Sequence, residues 1–284
     1  MTDRRTESYT PVLTLESLLK LLDIEELDRD LFRADNPEPP DRPVLYGGQV
    51  AAQALIAATR TVPEGRLPHS LHGYFLRPGQ VHRPTILQVD RDRDGRSFSA
   101  RHVVAVQDGE VIFSMVASFH VAEEGVDFDS PAPSIAPPDD LYAPESSSGF
   151  APWRNVFEFR FGRPERRAPG LEFQPGPSTT WIRTRGSVGD DPLMHTAILT
   201  YVSDLGSGFA DLDLPIWPPS GGPSLDHAVW FHRRLAVDQW FLLHQDPVVA
   251  GGGRGLYHGG IFDSHMRRCA SIAQELLARP PRPS

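Results

Sequence analysis

Residues in the first half of this 284-residue chain return in the second half at a fixed spacing. His72, in Leu-His-Gly-Tyr-Phe-Leu-Arg, lies 155 positions before His227, in Asp-His-Ala-Val-Trp-Phe-His-Arg. Asp108 in a Gln-Asp-Gly turn and Asp263 in a Phe-Asp-Ser turn are separated by the same 155 positions, as are Gln49 and Asp204. Matches in one register imply two copies of one structural unit, each long enough to enclose its own core. The copies differ in polar equipment. Gln49 carries an amide, which cannot take up a proton as a base, whereas Asp204 carries a carboxylate. One working site, in the second copy, is expected.

Charge and residue usage narrow the classes of function. The net charge of −9 argues against nucleic-acid binding, which needs a basic face. Lys20 is the only lysine and sits among leucines rather than after a glycine loop, which leaves out a P-loop and lysine Schiff-base chemistry. Cys269 is the only cysteine, so no disulfide can form within the chain, and a packed thiol outweighs a nucleophile there. The first eleven residues lack the apolar stretch of a signal peptide, and no run reaches the ~18 apolar residues of a membrane span. A cytoplasmic protein without a membrane partner is expected. No Gly-x-Ser-x-Gly elbow, His-Glu-x-x-His or Cys-x-x-Cys pattern occurs, so neither a serine hydrolase nor a metal site is indicated.

Leu15, Leu18, Leu19 and Leu22 recur at helical spacing behind Thr14, a fitting N-cap. Val50–Thr61 is dominated by alanine and reads as a helix buried nearly all round, with Gly47 and Gly48 at its start, where backbone N–H groups are free. Strands follow. In 97–106 one face carries Phe98, Ala100, His102, Val104 and Val106, and the other Ser97, Ser99, Arg101, Val103 and Ala105. Asp108-Gly109 then signals a hairpin. A long antiparallel sheet must bury one face, and one apolar helix can fill it. The expected class is α+β, two tandem units each made of an antiparallel sheet wrapped around a central helix. Their bounds are read as 15–122 and 151–277, joined by a proline-rich linker at 123–150 and flanked by tails at 1–14 and 278–284.

Four stretches then carry a resemblance: Leu45 to Val50, His72 to Gly79, Arg93 to Arg101, and Asp226 to Arg233. In this order they resemble the type II acyl-CoA thioesterases, which are double hot-dog proteins, over most of the chain. The resemblance implies hydrolysis of acyl-CoA to fatty acid and coenzyme A, with no cofactor beyond the coenzyme A of the substrate. It also implies a catalytic Asp, hydroxyl residue and Gln in the second unit. Asp204, Ser224 and Gln274 match these positions, with Ser where the family usually has Thr. In that reading Asp204 takes a proton from water, which Ser224 and Gln274 hold in place. Taken singly, Asp204 also suits a helix-end cap and Ser224 a turn. Gly47 and Gly48 are candidate donors to the oxyanion. Arg93, Arg96 and Arg101 are candidate contacts for coenzyme A phosphates, though a solvated hairpin explains them equally well. Asp226 and His227 read as a structural pair. A homo-oligomer is expected. The rivals are a hot-dog enoyl-CoA hydratase, whose sites pair Asp with His, and a non-catalytic acyl-CoA binding protein.

Overall fold

Alternation of buried and more exposed residues marks several of the strands, most regularly β5 and β12. The computed structural model describes residues 13–36, 44–141, 151–161, 178–209 and 222–279. The expected tails beyond these bounds, and the Ser146–Gly149 tract of the linker, lie outside the described residues. The first half runs α1 (Leu15–Leu22), β1 (Glu25–Asp28), β2 (Leu31–Ala34), α2 (Gly47–Thr59), β3 (Arg66–Phe75), β4 (Thr85–Asp94), β5 (Phe98–Gln107) and β6 (Glu110–Val121). The second runs β7 (Phe157–Phe161), β8 (Ser178–Thr184), α3 (Pro192–Ser203), β9 (Asp226–Phe231), β10 (Phe241–Gly251), β11 (Arg254–Phe262) and β12 (Arg268–Leu277).

All twelve strands join one antiparallel sheet in the order β1-β2-β4-β5-β6-β3-β9-β12-β11-β10-β8-β7. The order is the same read from either end, once each strand is exchanged for its counterpart, so two copies of one unit meet at the β3–β9 seam. This is the double hot-dog architecture. Local chemistry explains its parts. Thr14 caps α1 by accepting from Ser17 N–H, and Ser17 returns the bond in a capping box. Asp108 and Gly109, with φ of 51° and 79°, form the left-handed two-residue turn that suits a twisted hairpin. Small side chains let α2 lie close against β3 to β6, with Ala51, Ala52, Ala54, Ala57 and Ala58 fully buried. The helix α3 carries bulkier residues, and its main neighbour is α2. In β5 the buried face is the one with Ser99, Arg101, Val103 and Ala105. After β6 the chain runs without helix or strand to Pro137 and packs outside the second half. There Ala132, Ile135 and Leu141 rest on Trp181, Leu242 and Phe262, and Trp181 Nε1 donates to Ala136 O at 3.1 Å.

The repeat holds strand for strand, but the 155-residue register does not hold residue for residue. His72 and His227 occupy equivalent strands yet opposite faces: His72 is exposed, while His227 is fully buried beside its pairing partner Gly73. A shift of one residue exchanges the two faces of a strand. The register that keeps faces is 156 for β3 to β5, which sets Leu87 on Leu243 and Arg101 on Tyr257, all buried. Gln49 and Asp204 are not equivalent either. Gln49 lies in the first turn of α2, its amide donating to Asn36 Oδ1 at 2.7 Å, whereas Asp204 is the C-cap of α3.

Candidate active site

The C-terminus of α3 points at the N-terminus of α2, and the residues with chemistry gather there. The helix α3 starts on an Asp191 cap with Pro192 in its first turn and stops at Asp204, before Gly206 at a φ of 72°. Asp204 is therefore a helix-end residue, as its bland reading had it, but its side chain does not cap its own helix. It accepts from Gln274 Nε2 at 2.7 Å, and Gly48 at the start of α2 and Ser224 lie close enough to lower its pKa. Gly47 and Gly48 are obligatory for this approach. A Cβ on Gly48 would stand 2.4 Å from Tyr201 O, and one on Gly47 would stand 2.8 Å from Asp204 Oδ2. Tyr46 secures the same junction, its hydroxyl donating to Tyr201 O at 2.9 Å.

Gln274 is the hub. It sits on the inner face of β12, and its Nε2 donates to both Asp204 Oδ1 and Ser224 Oγ. Ser224 lies just before β9, where it forms a bridge with Leu276, and is half-buried, while Asp204 and Gln274 are buried. The Asp204–Ser224–Gln274 cluster is thus reached from the Ser224 side. Burial pushes the Asp204 carboxyl above its ordinary pKa, and His227, Gln274, Gly48 and Ser224 pull it back down.

The structure brings Asp204, Ser224, Gln274, Gly47 and Gly48 together, and leaves the three arginines elsewhere. Arg101 is fully buried under the far end of α2, where its guanidinium donates to Thr61, Arg93 O, Ala100 O and Asp94. It has no donor to spare for a phosphate, so its role is structural. Arg93 and Arg96 are exposed on the β4–β5 hairpin and have no side-chain partner among the described residues. They lie near the C-terminal end of α2, whose thirteen residues span about 20 Å.

Asp226 and His227 are not a pair. Successive strand residues face opposite ways: Asp226 accepts from Glu275 N–H at 2.7 Å and bonds His72 Nε2 at 3.0 Å, whereas His227 turns inward to Gln274 and Ser203. Sequence reasoning missed Tyr257, whose hydroxyl donates to Gln274 Oε1. The alternation Gly255, Tyr257, Ile261 in β11 carries the signal, since these residues share the buried face. Among the described residues no cluster of three His, Cys, Asp or Glu is placed to hold a metal ion. No helix among them is long and apolar enough to cross a membrane.

Comparison with known proteins identifies the family. The family described as "Acyl-CoA thioesterase N-terminal domain" matches residues 36–120, and "Acyl-CoA thioesterase C-terminal domain" matches 131–278. The chain is 33% identical over 285 residues to acyl-CoA thioesterase 2 of Haemophilus influenzae, covering 93% of this chain and 98% of that protein. Among solved structures it is similar to an acyl-CoA thioesterase II from Mycobacterium marinum, with a TM-score of 0.80 and 39% identity over 93% of this chain and 99% of that one. A hot-dog protein from Alicyclobacillus acidocaldarius shares the fold with a TM-score of 0.77 at 21% identity, over 93% of this chain and 98% of that one.

Proposed function

The chain belongs to the acyl-CoA thioesterase family, and on that premise we propose that Asp204, Ser224 and Gln274 activate the water that attacks the thioester. The reaction converts acyl-CoA and water to a carboxylic acid and free coenzyme A. The observation that carries the residue assignment is the convergence of Gln274 Nε2 on Asp204 Oδ1 and Ser224 Oγ.

The chemistry needs a water, a base and a home for developing negative charge. Asp204 accepts a proton as the water oxygen bonds to the carbonyl carbon. Ser224 and Gln274 limit the orientations of that water, which removes entropy from the barrier in advance. The tetrahedral oxyanion collapses, the C–S bond breaks, and the sulfur leaves as a thiolate that takes up a proton. No covalent enzyme intermediate is required. The N-terminus of α2, with its partial positive charge, lies beside Asp204 and suits an oxyanion. Gly47 and Gly48, at the start of that helix, are the candidate N–H suppliers.

The hydratase reading needs a histidine free to work on substrate. His227 is near Asp204, but both of its ring nitrogens are engaged, by Gln274 and Ser203. Arg93 and Arg96, exposed and unpartnered, keep the reading of coenzyme A phosphate contacts, acting on KM rather than kcat. The division into units at 15–122 and 151–277 is part of the same proposal, as is a cytoplasmic location. So is a homo-oligomer. Val116, Tyr74 and Trp230 stand exposed on the outer face of β6, β3 and β9, astride the seam, and a second copy would cover them. Light scattering on the purified chain tests that point. A panel of short- to long-chain acyl-CoAs, following free thiol, tests the activity, and enoyl-CoA consumed without thiol release would overturn it in favour of hydration.

A further inference from the structure

Gln274 is held by two donors that water activation does not use. Tyr257 on β11 is its direct cross-strand partner, and the β12–β9 register sets His227 opposite it on the other side. The three buried side chains form one row across three strands. His227 Nδ1 lies 2.9 Å from Gln274 Oε1, and the Tyr257 hydroxyl donates to the same oxygen. His227 Nε2 lies 2.7 Å from Ser203 Oγ. The equivalent row in the first unit is Leu71, Ala117 and Arg101, which has no amide to orient.

An amide group can face either way, and here the choice decides the chemistry. With NH2 toward Asp204, the carboxylate and Ser224 receive donors. Turned over, Oε1 would face the carboxylate, oxygen against oxygen. We propose that His227 and Tyr257 are positioning residues that fix the amide of Gln274 with its NH2 toward Asp204 and Ser224, His227 serving as the Nδ1–H tautomer. The inference rests on the assignment of Gln274 to the water-activating group. Proton accounting supports it. Burial holds the His227 ring neutral, so it has one N–H. Gln274 Oε1 can only accept, so that N–H is on Nδ1, and the Ser203 hydroxyl, which also has Thr200 O at 2.8 Å, has to turn to Nε2 to donate there. Burial and the Asp204 charge push the Tyr257 pKa upward, so its hydroxyl keeps the proton it donates.

Acyl-CoA hydrolysis by single and double variants tests the proposal. His227→Phe keeps the ring and removes the donor, and should lower kcat ~10–100-fold through misplacement of the amide, with KM within about twofold. His227→Asn, whose NH2 can take the place of Nδ1, should recover most of the loss. In a Gln274→Ala background His227→Phe should cost nothing more, because it acts through the missing amide. Losses that multiply, or an Asn variant as impaired as Phe, would overturn the inference. Nitrogen NMR of the unmodified protein supplies a readout independent of activity and of variant folding. A neutral Nδ1–H ring from about pH 6 to about pH 8 is expected, and an Nε2–H tautomer or a charged ring overturns the inference. If Gln274→Ala itself keeps full kcat, the water-activation reading fails, while the NMR result still decides the tautomer.

Discussion

Replacing Asp204 with asparagine removes one proton-accepting group and almost no volume. The wild-type carboxylate accepts from Gln274 Nε2 at 2.7 Å, with the Gly48 amide and the Ser224 hydroxyl close by. Asparagine keeps one oxygen for these donors and turns an NH2 toward the rest. A donor left facing a donor costs about 1–3 kcal/mol, which a fold of ordinary stability, about 5–15 kcal/mol, survives. Catalysis should suffer far more, because an amide does not take the proton from water. The expected loss in kcat is ~10²–10⁴-fold, the span of general-base catalysis, or about 3–5 kcal/mol in barrier height. Thiol release from a saturating acyl-CoA measures kcat, and a thermal melt of the same preparation measures the structural cost separately. An asparagine variant that keeps more than about half of the wild-type kcat with an unchanged melt would remove Asp204 from the mechanism.

Ser224→Ala and Gln274→Ala should each slow turnover, with the double variant much less impaired than the product of the two, since both hold one water; strictly multiplicative losses in the same assay would mean separate roles. The pH profile carries a direction. Asp204 works as a base only when ionised, so kcat/KM should fall as pH falls through its pKa, which burial has raised. Gln274→Ala removes one of the bonds that lower that pKa, so the acid limb should move to higher pH, and a limb that stays or moves down in a pH-rate series would contradict the assignment. Gly48→Ala, with its Cβ 2.4 Å from Tyr201 O, should force the helix junction apart. About 1–3 kcal/mol of stability should be lost to overpacking in a denaturant melt, together with most of the activity.

Architecture was legible in the sequence because strand alternation and helix amphipathicity are local. The alanine-rich helix and the Asp108-Gly109 turn fall where the sequence places them. Register was less so. A histidine at 72 and another at 227 look like a match, but a strand only records which residues share a face, and these two do not. Face parity, rather than residue identity, would have corrected the offset from 155 to 156. The Asp204–Ser224–Gln274 group came from resemblance and not from spacing, because its members stand on α3, a loop and β12, and only the folded sheet brings them together. Arg101 misled for the opposite reason. A guanidinium beside Asp94 in a hairpin reads as surface chemistry, and nothing local reveals that strand parity turns it inward to Thr61. Tyr257 escaped notice because a lone tyrosine in an apolar strand is ordinary.

The close approach of Asp204 to Gly47 and Gly48 crosses from one half of the chain to the other. The half without the base therefore cannot be discarded. Cleaving the chain between Val121 and Trp153 would leave Asp204, Ser224 and Gln274 on one fragment and Gly47 and Gly48 on the other. The tether supplies an effective concentration on the order of millimolar, and two separate fragments would have to supply it by mass action. Hydrolysis by a split version of this enzyme should then depend on dilution, in a way that hydrolysis by the intact chain does not.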